Sequence, residues 1–327
     1  DCRRRLALPQ FEKDFRQRTE EAWAAFAGIE AELRHIMDTD EMRERGEELM
    51  AKCSDALEMA FSSPAFELGF NGEKYELILT AEGHRAGLFP LTYFQRHAPA
   101  SVLEHWNILV GRQTSEGFYL RAGETEIRPE DVQVWIEKKE DRMTLYCEKL
   151  QPLMKDDAEK AWWLVYTLTD QVLGEVSSIA LINDLEVVEQ PQEGASVLLS
   201  SLPKTLRDME YTLWDDAQEY LDNSYIGYEL KPVEDPDADW RLDIYTGSAR
   251  LPVLINEYMS AESSTMDDYQ RDGIVAGFLC YPLAGFKGEK RAEQILQFRD
   301  TLQEAIQEHA GDDAVTFLGG ATGLYYG

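Results

Sequence analysis

The residues best suited to chemistry are histidines and arginines in the stretch between residues 84 and 112. His97 and His105 could act as a general base or bind a metal, and Arg112 could bind an anion. The histidine spacing matches neither His-x-x-x-His nor His-Glu-x-x-His, so no metal site is predicted. The alternative for Arg112 is a structural role, in which its guanidinium pairs with one of the many carboxylates of this chain. The catalytic candidates are therefore His97, His105 and Arg112.

A second group of candidate residues is acidic. The segment 208–243 contains twelve Asp and Glu residues but two Lys and Arg residues. We expect four of these carboxylates to form one negative face of a helix. They are Asp215, Asp216, Glu219 and Asp222. We predict that this face binds a partner.

The same segment contains an incomplete calcium-loop pattern. Asp235, Asp237 and Asp239 have the alternate-residue spacing of the first half of such a loop. Trp240 stands where the loop requires Gly, and Thr246 stands where it requires a bidentate Glu. We therefore assign these three aspartates to a solvated acidic binding surface and not to a metal site.

The net charge restricts the classes of partner. The chain has 32 Lys and Arg residues against 62 Asp and Glu residues, a formal net charge of -30. Such a surface repels phosphate backbones and anionic lipids and attracts basic surfaces. We therefore expect a basic protein partner, no nucleic acid and no membrane. The alternative is that the acidity serves solubility alone.

Other sequence features add little chemistry. The four cysteines form no Cys-x-x-Cys pair, which is typical of reduced thiols in a cytoplasmic protein. No apolar run approaches the roughly 18 residues of a membrane span. The chain begins with Asp1-Cys2 and no methionine, so we expect that it has been trimmed. Gly319–Gly323 follows a predicted strand but lacks the P-loop lysine, so we predict a bulge or a tight turn there and no cofactor.

The amino-terminal part of the chain is predicted to be helical. Phe15, Ala22, Ile29 and Ile36 recur every seven residues, and a second apolar stripe begins at Met42. The two helices are expected to form an antiparallel hairpin over residues 1–62 that packs on the first domain. A dimerising coiled coil is the alternative.

From residue 65 the apolar period changes to two, which indicates strands. Asn71-Gly72 predicts a tight hairpin turn. Further strands are predicted at 88–94, 107–112, 117–121, 132–137, 143–148 and 177–189, and an amphipathic helix at 156–175. These elements predict an α+β domain over residues 63–190.

The segment 189–194 is polar and contains Pro191 and Gly194, which predicts a linker. A second α+β domain is predicted over residues 196–327. It contains a helix from Ser201 to Tyr220, strands at 225–231, 240–246, 273–282 and 314–320, and a helix at 288–310. The predicted fold class is α+β, with the helical hairpin followed by two α+β sandwich units with mainly antiparallel sheets.

Four short strings resemble uncharacterised bacterial cytosolic α+β proteins. They are Leu91–Pro99, His105–Gln113, Leu145–Leu150 and Leu173-Gly174-Glu175. The resemblance covers about residues 65–190. It implies a bacterial, cytoplasmic protein of the α+β class and carries no activity.

Two functions from different classes follow. The charge and the absence of a catalytic motif predict a non-catalytic acidic interaction protein that binds a basic protein partner, as inhibitors and immunity proteins do. The alternative is a hydrolase-type enzyme with a site around His97, His105 and Arg112. A pocket where these three residues converge would favour the enzyme, and an exposed acidic face would favour the binding protein.

Overall fold

The computed structural model describes residues 11–39, 42–123, 125–137, 142–235, 240–260, 262–311 and 313–327. The chain divides into two compact units. The central unit runs from Pro64 to Leu221, and the split unit combines Asp1–Ser63 with Asp222–Gly327. Both units contain helices and strands, and most strand pairs are antiparallel, which confirms the predicted α+β class.

The split unit begins with the two predicted helices, α1 (Phe15–Asp38) and α2 (Met42–Leu57). The Asp14 side chain caps α1 by accepting the N–H of Gln17. The apolar stripe of each helix is buried, with Phe26 and Leu33 fully enclosed on α1 and Cys53 on α2. The helices therefore form a hairpin whose contact face was predictable from its seven-residue period.

The sequence predicts that the helical hairpin packs on residues 63–190, but the hairpin belongs to the same unit as the carboxyl-terminal part of the chain. The N–H of Phe15 donates to the carbonyl of Gly273 at 3.2 Å. The N–H of Ser62 donates to the carboxylate of Asp272 at 2.8 Å. These bonds join segments more than 200 residues apart in sequence, which no local pattern reveals.

The central unit opens with a three-stranded sheet in the order β1, β2, β3. Strands β1 (Phe66–Phe70) and β2 (Tyr75–Leu79) form the predicted hairpin, although its loop has four residues, 71–74. The Asn71 side chain accepts the N–H groups of Glu73 and Lys74 and so holds this loop. The predicted hairpin is confirmed, but the tight turn predicted at Asn71-Gly72 is wrong, because the loop is longer and only Gly72 of the two residues has a positive φ.

Helices α3 (Arg85–Arg96) and α4 (Ala100–Leu103) then lead to β3 (Trp106–Val110), which pairs with β2 in parallel. The strand predicted at 88–94 is therefore wrong. Leu88, Leu91 and Phe94 are buried at a spacing of three, which places them on one face of α3. Neighbouring parallel strands need a crossover connection, and α3 and α4 form the one between β2 and β3.

The rest of the central unit contains a second group of strands and helices. A two-stranded sheet pairs β4 (Leu120–Ala122) with β5 (Thr125–Ile127). The strands β6 (Gln133–Glu137), β7 (Arg142–Tyr146), β8 (Asp184–Val187) and β9 (Val197–Leu198) form a sheet in the order β8, β7, β6, β9. Three helices lie between β7 and β8 in sequence: α5 (Gln151–Asp156), α6 (Ala158–Leu173) and α7 (Glu175–Leu181).

Helix α6 supplies the centre of the hydrophobic core. Leu164 and Leu168 are buried in one cluster with Val134 and Leu145 of the four-stranded sheet. The predicted amphipathic helix is thus confirmed. The strand predicted at 177–189 is partly wrong, because residues 175–181 form α7 before the chain enters β8.

The predicted linker at 189–194 lies inside the central unit. It joins β8 and β9, which belong to one sheet. Val134 of β6 pairs with Val197, and the N–H of Leu199 donates to the carbonyl of Val132 at 2.9 Å. The sheet therefore continues across residue 190, and the division between the units follows Leu221 instead.

The helix predicted from Ser201 to Tyr220 is interrupted. Two shorter helices, α8 (Leu202–Asp208) and α9 (Ala217–Asn223), stand in its place. The division between the two units falls within the sequence of α9, after Leu221. Glu210 ends α8 with a φ of 67°. The N–H of Tyr211 donates to the carbonyl of Leu206, and the N–H of Glu210 donates to that of Arg207. This arrangement is a Schellman cap, which usually has Gly where Glu210 stands.

The split unit resumes with a sheet of β10 (Ile226–Glu229), β11 (Ile244–Ala249) and β12 (Gly319–Gly323). Its remaining helices are α10 (Pro252–Ser260), α11 (Ser264–Arg271) and α12 (Arg291–Ala310). The prediction at Gly319–Gly323 was a bulge or a tight turn. The turn is wrong, because these residues form β12, and the irregularity in the pairing of β11 with β12 lies on β11, between Ile244 and Thr246. Arg299 donates to the carbonyl of Ala321 at 2.8 Å, and a Cβ on Gly320 would lie 2.7 Å from the Arg299 guanidinium. Glycine lets Arg299 cross this strand.

We predict that Glu210→Gly stabilises the protein by about 1 kcal/mol, because glycine adopts a positive φ without the steric cost of a side chain. The free energy of unfolding in urea measures this effect. The control is Glu304→Gly in the middle of α12, which should cost about 0.5–1 kcal/mol. If Glu210→Gly destabilises the protein as Glu304→Gly does, residue 210 does not have the left-handed conformation.

Candidate functional site

The carboxyl ends of the parallel strands β2 and β3 lie side by side, with Leu79 paired to Val110. The N–H of Gly111 donates to the carbonyl of Leu79 at 2.8 Å, so the two segments that follow the strands stay together. In sheets with parallel strands, this is the edge where ligands bind most often. The charged side chains that follow these strands are therefore the first place to search for a site.

Arg112 follows β3 and is buried, and its guanidinium meets three carboxylates. Its Nε donates to Glu67 at 2.6 Å, its Nη2 to Glu82 at 2.9 Å and its Nη1 to Asp170 at 3.3 Å. Glu67 comes from β1, Glu82 follows β2 and Asp170 lies on α6. Together with Glu175 of α7, these residues are called the Arg112 cluster below. The arginine thus joins the sheet to α6.

Glu175 is fully buried and holds backbone groups of both strand ends. Its carboxylate accepts the N–H of Ala81 at 2.9 Å, that of Arg112 at 3.0 Å and that of Gly83 at 3.5 Å. The N–H of Glu175 in turn donates to the carbonyl of Arg112 at 2.9 Å. The first residue of α7 therefore fixes both segments that leave the parallel strands.

Two glycines allow this close approach. Gly111 has a φ of 83°, and a Cβ there would lie 3.1 Å from a methyl group of Val176. Gly174, with a φ of 81°, separates α6 from α7 and so brings Asp170 and Glu175 to the same place. A side chain at either position would be strained, because positive φ values favour glycine.

The two buried acids bind their protons more tightly than exposed acids do. Burial, and then the charge of Glu175, raise the pKa of Asp170 to about 7, although hydrogen bonds from Ser178 and Arg112 oppose the change. Burial also raises the pKa of Glu175, against the opposing effect of its backbone hydrogen bond from Arg112. The cluster therefore binds protons at a pH where exposed carboxylates are ionised.

The exposed side of the cluster behaves differently. Burial alone would lower the pKa of the Arg112 guanidinium, but the hydrogen bond to Glu67 and the charges of Glu82 and Glu175 outweigh it and raise that pKa. Burial acts against ionisation of Glu82 as well, yet Thr80 and Arg112 lower its pKa. The arginine thus forms its strong pairs with the open carboxylates Glu67 and Glu82, and Asp170 receives the longest of its three contacts.

The structure does not bring the three catalytic candidates together. His105 immediately precedes β3 and Arg112 follows it, so a strand about 17 Å long separates them. His97 ends α3, where its Nδ1 lies 2.7 Å from the carbonyl of Tyr93 and its ring stacks on Tyr93. Arg112 has the structural pairing that we stated as the alternative to an anion site.

The acidic candidates are exposed wherever the structure describes them. Asp215 and Asp216 precede α9 and do not lie on a helix, because the predicted helix is interrupted. Asp216 accepts the N–H of Glu219 at 2.7 Å, and Asp222 accepts from Arg250 at 3.1 Å. The remaining candidate in the described part of the chain, Asp235, is exposed. Asp237 and Asp239 lie outside the described residues.

Sequence reasoning did not connect Arg112 with the four acidic members of its cluster, which are Glu67, Glu82, Asp170 and Glu175. One signal was available for Asp170, which interrupts the apolar run of α6 and is buried there. A charged residue in an apolar helix face is rare unless it has a partner. The partner itself could not be read from the sequence, because Arg112 is 58 residues away.

Comparisons with known proteins assign no relative: no family model, curated protein or solved structure matches the chain. Within the described residues, no group of three His, Cys, Asp or Glu side chains has an arrangement that could hold a metal ion. None of the described helices combines the length and apolar character needed to span a membrane. The Arg112 cluster and the acidic surface are therefore interpreted from their own chemistry.

We predict that Glu175→Ala destabilises the protein by about 2–4 kcal/mol, because the N–H groups of Ala81 and Arg112 would lose their acceptor. Urea unfolding measures this loss. The matched control is Glu159→Ala, which removes an exposed glutamate from the first turn of α6 and should change stability by less than about 0.5 kcal/mol. Equal effects of the two substitutions would show that Glu175 does not hold the strand ends.

Proposed function

We propose that this protein is a non-catalytic interaction protein that binds a basic protein partner, in the manner of an inhibitor or immunity protein. The observation that carries the proposal is the formal net charge of -30. A field of this strength accelerates encounter with a basic surface and opposes encounter with polyanions. Binding should weaken as salt screens that field.

The acidic residues around α9 are our proposed contact surface. Asp215, Asp216 and Glu219 are exposed, so their charges reach solvent and any partner that approaches. Asp222 is also exposed, although it pairs with Arg250 and so contributes a partly balanced charge. Asp235, Asp237 and Asp239, which follow in the sequence, are further acidic residues that we propose for binding a basic partner.

The alternative of a hydrolase has less support from the geometry. His105 and Arg112 lie at opposite ends of β3, so they cannot act on one small substrate. The Arg112 guanidinium already contacts three carboxylates, which leaves it poorly suited to bind an anionic group. A hydrolase site would therefore have to use residues other than the candidates His97, His105 and Arg112.

We also propose a cytoplasmic location in a bacterium, which rests on the resemblance and on the cysteines. Cys53 and Cys147 are buried as free thiols. Burial raises the pKa of the Cys53 thiol to about 12, which keeps it protonated and unreactive. Such thiols are typical of proteins in reducing compartments. Cys2 lies outside the described residues.

We predict that the combined change of Asp215, Asp216 and Asp222 to Asn and of Glu219 to Gln leaves the fold intact. The amide side chains introduced at positions 216 and 222 keep an oxygen for the bonds that Asp216 and Asp222 now accept. Association with a basic partner should slow, and its salt dependence should weaken. Stopped-flow association rates at several salt concentrations measure both effects, and circular dichroism verifies the fold.

The control variant also removes four negative charges, but from other exposed residues. Glu104, Glu116, Glu130 and Glu148 are all exposed in the central unit, and each is changed to Gln. If both quadruple variants slow association equally, the whole field attracts the partner and the α9 region is not the contact surface. An unchanged rate in both variants would contradict an electrostatic role and leave the acidity to solubility.

We predict that the protein does not bind random-sequence DNA at physiological salt. The net charge of -30 repels the phosphate backbone, and the basic run Arg3-Arg4-Arg5, which lies outside the described residues, is too short to offset it. Fluorescence anisotropy of labelled duplex DNA tests this expectation. Binding that weakens as salt rises would contradict it.

A further inference from the structure

The Arg112 cluster contains more negative than positive charge. The single guanidinium of Arg112 contacts three carboxylates, those of Glu67, Glu82 and Asp170. A fourth carboxylate, that of Glu175, accepts the backbone N–H of the same residue. If all four are ionised, three negative charges remain unbalanced. The side chains of Glu67 and Glu82 are 40% and 50% exposed, so water stabilises their charges. The unbalanced negative charge therefore acts mainly on the two buried acids, Asp170 and Glu175.

The two buried acids are not equally well satisfied. Glu175 accepts N–H groups from Ala81 and Arg112 at 2.9 and 3.0 Å, and these bonds favour its ionised form. The Asp170 side chain is 10% exposed, and its contact with the guanidinium is 3.3 Å long. A buried charge that is weakly paired is costly, and a proton removes that cost. Asp170 is the place where such a proton is held.

We propose that the Arg112 cluster is a pH-sensitive junction, in which one proton on Asp170 secures α6 and α7 to the ends of β2 and β3. Loss of this proton adds a negative charge beside Glu175 and loosens the bonds that Glu175 makes to both strand ends. The junction is a property of the central unit and does not depend on the proposed partner. It gives the fold a response to pH near neutrality.

Several groups from neighbouring elements set the proton affinity of Asp170. Arg112, which follows β3, and Ser178 of α7 favour the ionised form, while Glu175 of α7 opposes it. Glu67 of β1 and Glu82 compete for the same guanidinium, and the charge of His84 acts on Glu82. Burial has the largest effect and raises the pKa of Asp170 to about 7.

The sign of the pH dependence follows from linkage. An aspartate in the unfolded chain has a pKa of about 3.9, so above that value the folded state binds more protons than the unfolded state until about pH 7. Stability from this group is therefore greatest at low pH and falls as pH rises through that window. For one proton, the folding equilibrium constant changes by roughly tenfold per pH unit there.

The test begins with the wild-type protein. The 13Cγ chemical shift of Asp170 is followed by NMR from pH 4 to pH 9, and we expect a midpoint near 7. In the same samples, hydrogen exchange of the Ala81 and Arg112 amides, corrected for intrinsic rates, should lose protection as pH rises from about 4 to about 7 and level off above that. The Val188 amide, which donates to the Leu145 carbonyl in the four-stranded sheet, is the internal control. A midpoint below pH 5, or equal changes at all three amides, would overturn the proposal.

A pair of variants then isolates the charge. Asp170→Asn keeps an oxygen for Arg112 but has no proton to lose, so the fall of roughly tenfold per pH unit should disappear from its unfolding curve. Asp184→Asn is the matched control, because Asp184 pairs with Arg142 at 2.8 Å at an exposed position. It should retain the wild-type slope. An unchanged slope in Asp170→Asn would overturn the proposal, and if that variant does not fold, the wild-type titration decides alone.

Discussion

The central unit depends on the hydrogen bonds that the buried carboxylate of Glu175 accepts. This carboxylate holds the backbone N–H groups of Ala81 and Arg112, which belong to the segments leaving two parallel strands. Such groups have no partners within the sheet, and buried N–H groups without acceptors are costly. The positive φ values of Gly111 and Gly174 follow from this requirement, because only a close approach of α7 to the strand ends brings the carboxylate within reach.

The same chain carries excess negative charge in two physical settings. At the surface around α9, water surrounds Asp215 and Asp216, so the repulsion is weak and the charges are available to a partner. In the Arg112 cluster, water is largely excluded from Asp170 and Glu175, and the single arginine cannot balance them. Surface acidity therefore bears on what the protein binds, whereas the buried acidity bears on how the fold responds to protons.

Helices and strands were predictable from the sequence where one face of the element is buried, because the apolar residues of that face recur with a regular period. The apolar stripes of α1 and α2, the hairpin at Asn71 and the apolar face of α6 all express a regular period in sequence. The predictions failed where local signals were ambiguous. The short apolar run at 88–94 fits a strand or a helix equally well, and Glu210 gives no sign that α8 ends there, because the residue usual at such a cap is glycine.

By itself, the amino-acid sequence determined the α+β class, the helical hairpin, the principal core helix and the strongly acidic character of the surface. These properties depend on composition and on periods of a few residues. The tertiary structure alone decided that the division between units follows Leu221, since Val134 and Val197 pair across the predicted linker. It also decided that Arg112 meets Glu67 and Asp170, which lie 45 and 58 residues away. Contacts at such separations arise from the path of the whole chain, because no local pattern specifies which distant charge a buried arginine will meet.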